Sequence, residues 1–135
     1  MSRSGYSDEC DDSDGYWGLI KWRGQVTSAI RGKRGQAFLR ELLEALDAMP
    51  VKRLIKNEFW NGEACALGVI AQKRGLDLIS VDPDDYDRLA ELLGIAHQLV
   101  QEIEWENDEA LGHCTPEQRW HWMRSWIAGK LIEWC

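Results

Sequence analysis

Apolar residues recur at spacings of three and four through Phe38, Leu39, Leu42, Leu43 and Leu46, so they share one face of a helix that Pro50 closes. An earlier amphipathic segment starts at Trp17 and uses Ile20, Val26 and Ile30, with Gly18 and Gly24 weakening it. Gly32 and Gly35 bound the turn between the two. Over residues 53 to 68 the pattern changes. RLIKNEFW and EACALG flank Asn61-Gly62, a pair suited to the left-handed backbone of a tight hairpin turn. This predicts one short β-hairpin whose second arm gives way to a helix, because the stretch from Ala64 to Arg74 is alanine-rich and ends in basic residues before Gly75.

The later start signals are more explicit. Asp82 is placed to cap a helix, with Pro83 at its first position and Asp84 and Asp85 where the positive end of the helix dipole favours acids. Another helix is predicted from about Ala96 to Trp105. The run TPEQ is a capping box formed by Thr115 and Gln118, and the helix it opens is expected to continue to the end of the chain. In that helix Trp120, Met123, Ile127, Leu131 and Trp134 share the central face, while Trp122 and Trp126 lie on its shoulder, one turn apart. The fold class read from this pattern is mainly α. It is a single domain over residues 17–135 with about five helices and one short β-hairpin, preceded by a disordered acidic tail over residues 1–16.

Composition sharpens the picture at two points. A chain of 135 residues is large enough to bury about two thirds of the surface it exposes when unfolded, so it needs no metal or disulfide to hold a core. Eight tryptophans are nevertheless more than five small helices can readily enclose. The Trp122 and Trp126 shoulder is therefore read either as core or as an exposed aromatic patch of the kind enriched at binding surfaces. The net charge of −7 is unevenly distributed. Asp8, Glu9, Asp11, Asp12 and Asp14 crowd the beginning. Lys21, Arg23, Arg31, Lys33 and Arg34 follow without an intervening acid, and the remainder is acidic again. Carboxylates over most of the surface oppose the counterion release that drives binding to a polyanion, which disfavours nucleic acid.

The cysteines Cys10, Cys65, Cys114 and Cys135 stand singly, with no CxxC pair, and the chain opens without an apolar signal-like run. The expectation is free thiols in a reducing cytoplasm. No stretch reaches the ~20 apolar residues of a membrane span.

Candidate chemistry is sparse. Arg31, Lys33 and Arg34, set around Gly32 and Gly35, have the composition of an anion grip. They lack the spacing of a P-loop and follow no strand, so the simpler reading is a solvated corner between helices. Residues 89 to 104 resemble a helical hairpin, with Ala90, Gly94 and Val100 suitably placed, but the second helix offers Gln98, Gln101, Glu102 and Glu104 and no cation to a DNA groove. CDDSDG fails as a calcium loop because Cys10 and Lys21 occupy its anchoring positions. EWENDE, residues 104 to 109, is read as an exposed face or a helix exit. His113, Cys114 and His121 are close in sequence without a usual zinc spacing. No nucleophile motif appears. The reading assigns no catalytic residue, metal or cofactor.

The run IKWRGQVTSAIRGKRGQAFLRELLEALDAMP, continued by NGEACALGVIAQKRGLDL, DPDD, LGIAHQLVQEIEWENDE and TPEQRW with MRSW, resembles a family of small proteins encoded by phages and prophages of Gram-negative bacteria. The resemblance extends over nearly the whole chain, from SRSGYSDEC onward. It implies a setting, the bacterial host cytoplasm, and carries no catalytic residue across. By analogy, small acidic phage proteins of this kind act by occupying a surface on a host protein, including factors of anti-phage defence.

The expectation is a non-enzymatic accessory protein that binds a host protein through Trp122 and Trp126 and through Arg31, Lys33 and Arg34, with self-association as another use of exposed aromatics. The alternative is a nucleic-acid-associated protein using Lys21, Arg23, Arg31, Lys33 and Arg34 as one basic stripe, with binding that falls steeply with salt.

Overall fold

Leu39, Leu42 and Leu46 are fully buried and Phe38 nearly so, as their spacing requires. They lie on α2 (Lys33–Asp47), the second of six helices seen in a computed structural model that describes residues 13–78, 80–82 and 84–132. The others are α1 (Ser13–Arg31), α3 (Ala66–Arg74), α4 (Tyr86–Leu93), α5 (His97–Asp108) and α6 (Pro116–Lys130). The mainly α class expected from the sequence is what the chain adopts. Residues 1–12 lie outside the described region, as does most of the expected tail, but α1 already takes in Ser13 to Tyr16.

The helices form one core. α2 packs on α3 and α6, while α5 is contacted by α1, α3, α4 and α6. Leu89 and Leu93 of α4, Leu99 and Ile103 of α5, and Met123 and Ile127 of α6 all close onto the same apolar cluster. α6 starts at the capping box: Thr115 Oγ1 accepts from the Gln118 N–H at 3.1 Å, and Gln118 Oε1 accepts from the Thr115 N–H at 2.9 Å. Gly94 ends α4 in the left-handed region, so the expected helical hairpin of α4 and α5 is present.

Three expectations need correction. The β-hairpin is absent from the described residues, where only an isolated bridge joins Trp60 to Ala64. The turn itself exists, with Gly62 at φ 104° and the Asn61 N–H donating to Glu63 O at 2.9 Å. Its arms meet at that bridge and where the Ile55 N–H donates to Ala64 O at 3.0 Å, but no ladder extends from there because neighbouring groups have other partners. The Leu54 N–H donates to Pro116 O, and the Asn57 N–H to Asp108 Oδ1, both at 3.1 Å. The second arm is helical from Ala66, and Gly68 lets α3 press against the Phe59 carbonyl, where a Cβ would clash. The count of helices rises accordingly from about five to six.

The second correction concerns α4, whose cap is Asp85 rather than Asp82. Asp85 accepts from the Arg88 N–H at 3.0 Å, whereas Asp82 serves the turn before it by accepting from the Asp84 N–H at 2.9 Å. Thirdly, α6 stops at Lys130 instead of running to the end of the chain, because Leu131 adopts an extended backbone.

Candidate functional site

The corner between α1 and α2 is built by close approach. A Cβ at Gly35 would fall inside the van der Waals shell of the Ala29 carbonyl oxygen, so only glycine lets α2 start so near the end of α1. Gln36, buried beside it, donates to Ile30 O at 2.8 Å and to Lys130 O at 3.0 Å, and accepts from the Ile132 N–H at 2.8 Å. Arg40 adds a bond to Ile132 O at 2.5 Å. The end of α6 is thereby fastened to the basic corner, a proximity that local sequence spacing does not reveal.

Arg31, Lys33 and Arg34 are all exposed and have no ion-pair partner among the described residues. Most other arginines are engaged. Arg53 meets Glu63 and Glu117, Arg74 meets Glu41, and Arg124 meets Asp47. The pairing shows in the proton equilibria: the Arg74 hydrogen bond holds the Glu41 carboxyl below its ordinary range, and the Arg124 hydrogen bond does the same for Asp47.

Of the five cations read as a basic stripe, Arg23 has an acidic partner. Arg23 faces α5, with its Nη1 3.4 Å from both carboxylate oxygens of Glu102 and its guanidinium 5.9 Å from the centre of the Trp105 ring. Part of its charge is thereby offset by Glu102.

On α6 the division of tryptophans follows helical geometry. Trp120 is buried with Met123 and Ile127, and its Nε1 donates to Leu46 O at 3.3 Å. Trp122 and Trp126 are half-buried, each with one side packed on the core. They belong wholly neither to the core nor to an open patch. Trp122 also lines a surface groove of about 470 Å³ with Leu111, His113, Cys114, Gln118 and His121. Folding thus gathers the residues weighed for zinc, yet no group of three or more His, Cys, Asp or Glu among the described residues is arranged to hold a metal ion. Cys65 and Cys114 are free thiols.

The acidic run of α5 is the main departure from the sequence reading. Glu102, Glu104, Glu106 and Asp108 are buried, because helices on several sides leave α5 little solvent face. Glu102 and Glu106, 4% and 6% exposed, lie one turn apart. Burial first, and then the Glu102 charge, push the Glu106 carboxyl up to about 7. The Trp122 indole N–H, itself buried and without a regular hydrogen bond, lies near enough to oppose that rise. A signal was present in the sequence: Leu99, Glu102, Ile103 and Glu106 repeat the three-and-four spacing of the core. Acidity masked it.

A second missed feature is the α2–α3 face. Val51 and Trp60 are 58% and 42% exposed, and they border a groove with Met49, Val69 and Gln72. Trp60 was hidden from sequence reasoning by its assignment to a hairpin.

Compared with known proteins, the chain matches no family model, no curated protein and no solved structure.

Proposed function

We propose that this chain is a non-enzymatic accessory protein of phage or prophage origin that acts by binding a host protein in the bacterial cytoplasm. The observation that carries the reading is the fastening of α6 to the α1–α2 corner through Gln36. It brings the end of α6, the helix that carries the half-buried Trp122 and Trp126, to a corner whose three cations have no ion-pair partner among the described residues. Amphipathic indoles supply contact area, and the unpaired cations orient an acidic partner surface. A host defence or regulatory factor is the kind of partner this setting favours.

The test is affinity capture from infected cells with wild-type protein, with Trp126→Ala, and with Arg31, Lys33 and Arg34 all changed to glutamate. A host protein retained by wild type and lost with both variants is expected, with circular dichroism showing each variant folded. Retention by both variants overturns the reading. A complex that disappears on nuclease treatment transfers it to nucleic acid, an alternative already weakened by the engagement of Arg23 with Glu102.

A further inference from the structure

We infer that Glu102 and Glu106 form a proton-operated latch, which holds α6 closely against α5 while the pair retains a proton and loosens that contact when both carboxylates are ionised. The only ligand is the proton, so the inference stands apart from the identity of any partner.

The argument begins with charge balance in a buried place. Two carboxylates one helical turn apart, each more than nine-tenths buried, repel strongly when both are charged, because little water screens them. From α1 the group facing the pair is Arg23, whose guanidinium is 3.4 Å from Glu102 and half exposed. From α6 the groups are Lys130, whose charge acts on Glu106 through space, and the Trp122 indole N–H. On α5 itself the facing group is Glu102. The charges of α3 and α4 are engaged elsewhere, Lys73 and Arg74 with Glu41, Arg88 with Glu91, and Asp87 with His97.

Glu106 therefore has no cation in ion-pair contact among the described residues. A proton supplies the missing neutralisation, and the elevated proton affinity of Glu106 agrees with this. When that proton leaves, the charge is relieved by admitting water, and the half-buried Trp122 on the adjoining flank of α6 is the group best placed to yield.

The direction with pH follows from linkage. The folded carboxyl is pushed up to about 7 by burial and the Glu102 charge, against an ordinary 4.5 in the unfolded chain, so the folded state holds the proton more tightly. Stability therefore falls as pH rises between those two values and is level above them.

The experiment has two arms. The first follows side-chain carboxyl carbon resonances of wild-type protein by NMR, with Glu106 assigned through Glu106→Gln. A midpoint near 7 is expected, and one near the ordinary 4.5 overturns the latch. The second compares amide protection factors across α6 at about pH 5.5 and about pH 8. Wild type should lose protection on the order of tenfold at the higher pH, and Glu106→Gln should lose none. Equal behaviour of the two proteins overturns the proposal; if the variant does not fold, Glu106 is assigned by through-bond correlation to its own backbone, and a wild-type midpoint near 4.5 or unchanged α6 protection between the two pH values overturns it.

Discussion

The side-chain amide of Gln36 donates to the carbonyl of Lys130 at 3.0 Å, across 94 residues of chain, and so makes the end of α6 part of the α1–α2 corner. The same amide nitrogen serves Ile30 O, and its oxygen receives the Ile132 N–H. Replacing Gln36 by alanine strands these buried groups. The expected loss of stability is about 2–4 kcal/mol. Urea unfolding checks it, and hydrogen exchange should rise most strongly at residues 127–132.

Two glycines of neighbouring sequence should answer alanine in opposite ways. At Gly35 a Cβ meets the Ala29 backbone, so Gly35→Ala must separate α1 from α2 and should destabilise by about 2 kcal/mol or more. At Gly24, exposed within α1, nothing lies within 4 Å of the added atom. Gly24→Ala should stabilise by about 0.5–1 kcal/mol, since it only removes freedom from the unfolded chain. Thermal unfolding of the two variants measures the contrast.

The tryptophans of α6 should separate by depth. Trp120→Ala empties a core position, removes the hydrogen bond to Leu46 O and deprives Lys52 of the ring lying 5.3 Å from its ammonium; about 3–5 kcal/mol should be lost. Trp126→Ala removes a half-buried ring and should cost less than half as much, about 1–2 kcal/mol. Denaturant midpoints decide this. Equal costs would make Trp126 a core residue and remove it from the binding surface.

Arg119 should prove structural. It is only 5% exposed, with Nε donating to Asn107 O at 2.8 Å and Nη1 to Leu54 O at 3.1 Å. Asn107 in turn accepts from the Ala66 N–H at 3.1 Å and donates to Ile55 O at 2.9 Å. These two side chains hold the irregular segment from 54 to 66 without a sheet. Arg119→Met leaves two carbonyls without their donor and should lower stability by about 2–4 kcal/mol, with exchange protection lost first in that segment.

Asn107 also explains where local reasoning failed. Asn61-Gly62 does turn the chain as its composition requires. Whether the flanking arms then pair with each other depends on competing donors and acceptors, and here α5 and the start of α6 supply them from more than 40 residues away. The acids of α5 failed for a related reason. A glutamate is read as solvent-facing because burial is costly, yet α5 lies among four other helices that leave it little open side.

What the residues alone determined was local and periodic. Helical class, the apolar face of α2, the Thr115 capping box and the Trp120, Met123 and Ile127 part of the central face of α6 all follow from spacing and end chemistry, which act within a turn or two, whereas Leu131 lies past the end of α6 and Trp134 outside the described residues. Tertiary structure alone decided that Arg23 is engaged by Glu102, that Glu106 shares a buried site, and that Lys130 meets the corner of Arg31 and Lys33. Each of these depends on which helices become neighbours, and that is settled by packing the whole core rather than by any one segment.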